Sequence, residues 1–135
     1  MKKLNLNKNL IVYILVIGLL IFIFIFLITT NIIGYSVKNN CQNAQAKYEG
    51  DCVTALISLL NDESNDYRSR NSAIWALGQL GDERALPHLK KLYTNNIPEK
   101  ESLSKTISQY ELKKAINLTS GGFNASQVFW QSMIK

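Results

Sequence analysis

Cys41 and Cys52 are the only thiols in the chain, and His88 is its only imidazole. Two cysteines with ten residues between them offer one of two chemistries. They can bridge, or they can remain free, with Cys52 packing as a small apolar residue at a helix start. A C-x10-C pair with a single distant histidine is not a metal-ligand set, so no metal is expected. His88 falls at a variable position of the pattern described below and reads as a solvated surface residue. No serine, cysteine or carboxylate has an activating partner at motif spacing. The chain is therefore expected to be no enzyme and to need no cofactor. Two sequons, Asn117-Leu118-Thr119 and Asn124-Ala125-Ser126, would matter only in a eukaryotic lumen, and chance explains them in an Asn-rich chain.

The element that decides the fate of the thiols lies before them. Residues 10–33 form a run of 24 residues without a charge, LIVYILVIGLLIFIFIFLITTNII. As a helix it would extend roughly 36 Å, enough for a hydrocarbon core of about 30 Å with some tilt. Lys2, Lys3 and Lys8 precede it with no acidic residue among them, which favours a cytoplasmic N-terminus and an exported C-terminal part. The apolar core is longer than the 7–15 residues or so of a cleaved signal peptide. Gly34-Tyr35-Ser36 is a weak cleavage site, and the expectation is an uncleaved signal anchor in the cytoplasmic membrane. Export places Cys41 and Cys52 in an oxidising compartment, where a disulfide is the expected state.

The net charge of +5 comes largely from the tip. Three of the fifteen basic residues lie there, leaving twelve basic against ten acidic residues from Gly34 onward. Those twelve are scattered rather than striped, so nucleic-acid binding is not expected. The expected partners are the lipid bilayer and another protein.

Beyond the apolar run, residues 34–50 are polar and rich in Asn and Gln. They read as a stalk with a short helix near Gln42–Tyr48. Helical spacing follows: Val53, Leu56, Leu59 and Leu60 behind an Asp51 cap; a second helix from Asp66 to Leu80, closed by Gly81; a third, with Leu86, Leu89 and Leu92 on one face and Pro87 near its start. A fourth helix is predicted over Ser102–Leu118, ending at Gly121-Gly122, with a short final helix or tail. No segment alternates with period two, so no sheet is expected. The domain organisation is thus a cytoplasmic tip (1–9), a transmembrane signal anchor (10–33), a polar stalk (34–50), a helical repeat domain (51–120) and a C-terminal capping segment or tail (121–135).

The pattern recurs. Leu56 and Leu59 match Leu89 and Leu92 at an offset of 33, and Ala73-Ile74 matches Ala115-Ile116 at 42, with about nine extra residues around Asn95–Leu103. Two helices per unit at such a period signal an α-solenoid. From Arg70 to Leu89 the chain reads R-x-x-A-x-x-A-L-G-x-L-G-D-x-x-A-L-P-x-L. This resembles the HEAT-like repeat of bacterial scaffold proteins and bilin lyases. The resemblance implies an all-α fold, a short solenoid of about two HEAT-like helical pairs, and makes residues 51–120 a HEAT-like repeat domain. It also implies that Arg70 bonds an aspartate in the preceding turn, Asp62 or Asp66. Two repeats bury their faces poorly on their own. The stalk is expected to cover one end and Phe123, Val128, Phe129 and Met133 the other, or else a second copy of the chain.

The function expected is that of a membrane-anchored interaction module, an adaptor displaying its repeats outside the cytoplasmic membrane. Alternatives are an accessory or bilin-lyase-like protein, implied by the resemblance, and a small subunit of a membrane complex. The IFIFIF stretch lacks the small-xxx-small spacing that would favour assembly through the span. On a helical wheel Ala73, Ile74, Ala76, Leu77 and Leu80 share one arc, and Trp75 falls opposite them with Arg68, Asn71 and Gln79. An exposed Trp among polar residues is a hot-spot composition, so these four are the expected partner-binding residues. The resemblance points the same way, because the second helix of such repeats lines the concave surface. The alternative is that Trp75 is covered by Tyr48, by the long second turn or by the C-terminal aromatic tail.

Overall fold

The computed structural model describes residues 8–131. The expectations for residues 1–7 and for Met133 lie outside the described residues. Those residues fold as helices only, with no strand among them. α1 spans Lys8–Gln45, α2 Cys52–Asn61, α3 Tyr67–Leu80, a 3-10 turn Glu83–Ala85, α4 Leu86–Leu92, α5 Gln109–Thr119 and α6 Gln127–Trp130.

α1 differs from the expected anchor plus stalk. It is one 38-residue helix that crosses the apolar run and continues through the polar segment without a break. It is the one helix among the described residues long and apolar enough to cross a membrane. Its apolar N-terminal part is exposed along its length. In its second half Thr30, Gly34, Val37, Cys41 and Ala44 are buried, steps of three and four that make a single stripe. The expected stalk is therefore the first wall of the domain core, where α1 packs on α2 and α3. The helix stops at Gln45 rather than near Tyr48, and Gly50 turns the chain with φ at 116°. Cys41 and Cys52 are bridged, with Cα atoms 4.9 Å apart, and join α1 to the first turn of α2.

The next elements start and stop where their caps dictate. Asp51 accepts the Thr54 amide at 2.9 Å and Asp66 the Ser69 amide at 3.0 Å. Gly81 closes α3 in the left-handed region, φ 64°, donating its N–H to Leu77 O. Asp82 accepts the Arg84 amide at 2.9 Å and opens the turn into α4. Arg84 also reaches Asp51 at 2.8 Å and so joins the start of α2 to the start of α4. Leu56, Leu60, Ile74, Leu77, Leu89 and Leu112 are fully buried between these helices. The repeated positions are used alike: Leu56 and Leu89 are both at 0% exposure, Ala73 and Ala115 at 1% and 2%.

α5 begins at Gln109, seven residues later than expected. Ser102 to Thr106 makes only a single turn. Ser108 caps the helix by accepting the Glu111 amide at 3.0 Å, and Glu101 accepts the Gln109 amide at 2.7 Å. A carboxylate beside the first amides of a helix complements its dipole, and the Ser- and Thr-rich stretch before Ser108 has little helix propensity to oppose this. α3 and α5 approach closely at Gly78, where a Cβ would lie 2.8 Å from Ala115 Cα.

The expected end cover is also corrected. Phe123 is 89% exposed and Val128 77%, whereas Trp130, which sequence reasoning passed over, is fully buried. α6 packs on α1.

Candidate functional site

α3 carries all four of the expected partner-binding residues, and the elements around it give them different roles. Arg68, near its start, is exposed. One turn on, Asn71 is only 5% exposed, contrary to the helical wheel. The loop before α5 folds across it. The Asn71 amide nitrogen donates to Leu103 O at 3.0 Å and to Thr106 O at 2.8 Å, while its oxygen accepts the Ser108 N–H at 2.8 Å. Asn71 thus fixes the loop that bears Leu103. Trp75 is half-buried, its inner side packed against the core. Gln79, one turn further, accepts from the Asn124 amide at 3.1 Å and is partly covered by the C-terminal segment.

Arg68, Asn71, Ser72 and Trp75 of α3 face Leu103 and Glu111 across an open recess of about 390 Å³. Two of the four predicted residues, Arg68 and Trp75, present surface there. Asn71 braces the wall and Gln79 lies outside it. The recess pairs an apolar floor of Trp75 and Leu103 with a cation from Arg68 and a carboxylate from Glu111, which Lys114 approaches at 3.2 Å. Such a lining offers packing area and hydrogen bonds to a side chain of mixed character.

Leu103 and Glu111 were missed by sequence reasoning. A signal existed for the second: Ser108-Gln109-Tyr110-Glu111 is the S-x-x-E pattern of a capping box. Its reciprocal half is replaced here, because Asn71 rather than Glu111 takes the Ser108 amide. Glu111 instead lines the recess and pairs with Lys114. Leu103 had no local signal, since only the fold of the nine-residue insertion brings it to α3.

Arg70 departs from what the resemblance implied. It is 7% exposed, and its Nε donates to Leu60 O at 2.9 Å, at the C-terminal end of α2 where a cation is favoured. The two aspartates serve elsewhere. Asp66 caps α3, while Asp62 accepts from Tyr48 Oη at 2.6 Å and from the Ser64 amide at 2.9 Å. Hydrogen bonding from Ser64, and then from Tyr48, lowers the Asp62 carboxyl to about 2. The Asp51 carboxyl is likewise lowered to about 2, by Arg84 first and then by Thr54. His88 is half-buried, its Nδ1 3.0 Å from Asn61 Nδ2.

A match to a known family covers the α3 wall of the recess but stops short of Leu103 and Glu111. Residues 40–101 match a family model described as HEAT repeats. The matched segment begins on α1, at the part of that helix that lines the core, and runs through α4 into the loop. No curated protein and no solved structure matches the chain.

Proposed function

We propose that this protein is a non-enzymatic, membrane-anchored interaction module that holds a protein partner at the outer face of the cytoplasmic membrane. The HEAT-repeat match over residues 40–101 carries the reading, because such repeats generally mediate protein interactions. The apolar half of α1 supports the anchor. Tyr13 and Tyr35, both exposed, stand near its two ends, where aromatic residues suit a bilayer interface. Lys-rich residues before the span favour a cytoplasmic N-terminus, and the Cys41–Cys52 bridge suits an exported domain. We read α2–α3 and α4–α5 as two stacked repeat units. Together they present the Trp75 recess as the contact for the partner.

Co-purification from gently solubilised membranes tests this. Capture of a defined partner by the full chain, weakened by about 1–2 kcal/mol in Trp75→Ala, is the expected outcome. Equal capture by Trp75→Ala and by the parent chain would place the contact elsewhere. A reporter active only in the cytoplasm, fused at Lys135, should be silent; activity there would reverse the topology.

A further inference from the structure

The C-terminal helix ends beside the apolar run. The Phe129 ring meets Phe26 edge-on, centroids 5.3 Å apart and planes at 84°. Phe26 lies within residues 10–33, three residues before the polar triplet Thr29-Thr30-Asn31. A span of about 20 residues counted from Leu10 ends near Thr29, which puts Phe26 about 5 Å inside the hydrocarbon boundary. Phe129 is held at that level. Trp130, fully buried, fixes α6 against the rest of the protein, and Gln127 Nε2 donates to Leu80 O at 2.7 Å, tying the segment to the end of α3.

What α6 and the preceding loop turn outward is apolar: Phe123 at 89% exposure, Val128 at 77% and Phe129 at 51%. Through Phe129 this surface meets the exposed apolar run of α1. No charged residue occurs between Ala115 and Gln131, so nothing in this stretch resists entry into the interfacial layer at the cost of desolvating a charge.

We infer that Phe123, Val128 and Phe129 form a second contact with the bilayer that α1 crosses, Phe129 at the edge of the hydrocarbon beside Phe26 and Phe123 and Val128 in the interfacial region. The inference rests on the anchor reading above. Phe26 sets the depth of the contact, and the rest of the domain stands off the bilayer on the far side of α6.

The test uses the full chain in nanodiscs of phosphatidylcholine and phosphatidylglycerol, with the native disulfide kept oxidised. A single cysteine is introduced as Leu20→Cys, Phe123→Cys, Val128→Cys or Tyr67→Cys and labelled with an environment-sensitive nitrobenzoxadiazole dye. Tyr67 is exposed at the opposite end of α3 from Gln127 and serves as the membrane-distal reference. Lipids with a doxyl group near the headgroup should quench positions 123 and 128 several-fold more than 67, and iodide in the buffer should quench them less. Lipids with a mid-chain doxyl should quench position 20. Quenching at 20 with iodide-accessible dyes at 123 and 128 would overturn the inference and leave the anchor standing. No lipid quenching at 20 would remove the anchor and the inference with it. Protection of 123 and 128 from both quenchers would mean that protein, a second copy or a partner, covers the patch, and would overturn the inference.

Discussion

Gly78 shows how little room the packing leaves at a single position. It sits inside α3, where alanine would ordinarily be favoured by up to about 1 kcal/mol. Its missing Cβ is what lets Ala115 approach to contact. Gly78→Ala should therefore destabilise the domain, by about 1–3 kcal/mol, despite the gain in helix propensity. Chemical denaturation followed by circular dichroism measures the difference; a stabilised variant would show that α3 and α5 can separate freely. Asp51 and Asp62 make a second prediction at this scale. Each carboxyl is lowered to about 2 in the folded chain, so the folded state binds fewer protons than the unfolded state when acid is added. Their contribution is complete above the ordinary carboxylate value of about 4 and is lost as pH falls from about 4 toward 2. Melting temperature should hold steady from neutral pH down to about 4 and then fall. Asp62→Asn should lower it at neutral pH and flatten the acid limb. The acid limb of Asp62→Asn remaining as steep as that of the parent would assign the loss to other carboxylates.

Among the elements, the starts of α2 and α3 and the end of α3 were legible in the sequence. Asp51, Asp66, Gly81 and Asp82 are each a residue type with one local use, and each marks its boundary correctly. The start of α5 lies seven residues past the expected Ser102, at the Ser108–Glu111 capping pattern. The loop before it was legible only as an insertion. What orders it is Asn71, a residue 32 to 37 positions away from its partners, and no local pattern reveals such a bond. Removing the Asn71 amide leaves the Leu103 and Thr106 carbonyls and the Ser108 N–H without their partner, at about 1–3 kcal/mol for a buried group. Asn71→Ala should speed hydrogen exchange at Ser108 and around residues 103–108 while α2 stays protected. Uniform loss of protection across the domain would instead make Asn71 part of the global core. Because that loop carries Leu103, the same variant should also open the recess.

For the whole molecule, the all-helical class and the repeat were readable, and the division into parts was not. Composition drew a line at Gly34, where apolar residues give way to Asn and Lys. The helix ignores that line, because Thr30, Gly34, Val37, Cys41 and Ala44 are small or apolar at steps of three and four, a pattern thinly spread among polar neighbours. The recess was half legible for a related reason. Trp75 and Arg68 share a helix face, whereas Leu103 and Glu111 join them only through tertiary folding. The repeat region shares its core with α1, so it is expected not to fold as a separate unit. A fragment of residues 46–135 lacks Val37, Cys41 and Ala44 from its core and should melt without cooperativity, whereas one of residues 28–135 should unfold in a single transition. Equal cooperativity in both would show that α1 merely lies against a finished domain. The unbroken backbone of α1 has a mechanical consequence. Its 38 residues make a rod about 57 Å long, clamped in the core at one end and bare at the other. No break separates its apolar end from the part in the core, so any tilt or axial roll of the rod turns the Trp75 recess through the same angle. On the proposed reading, a partner seated there would be presented at a set height and bearing, and a bilayer thin enough to tilt the rod would re-aim it.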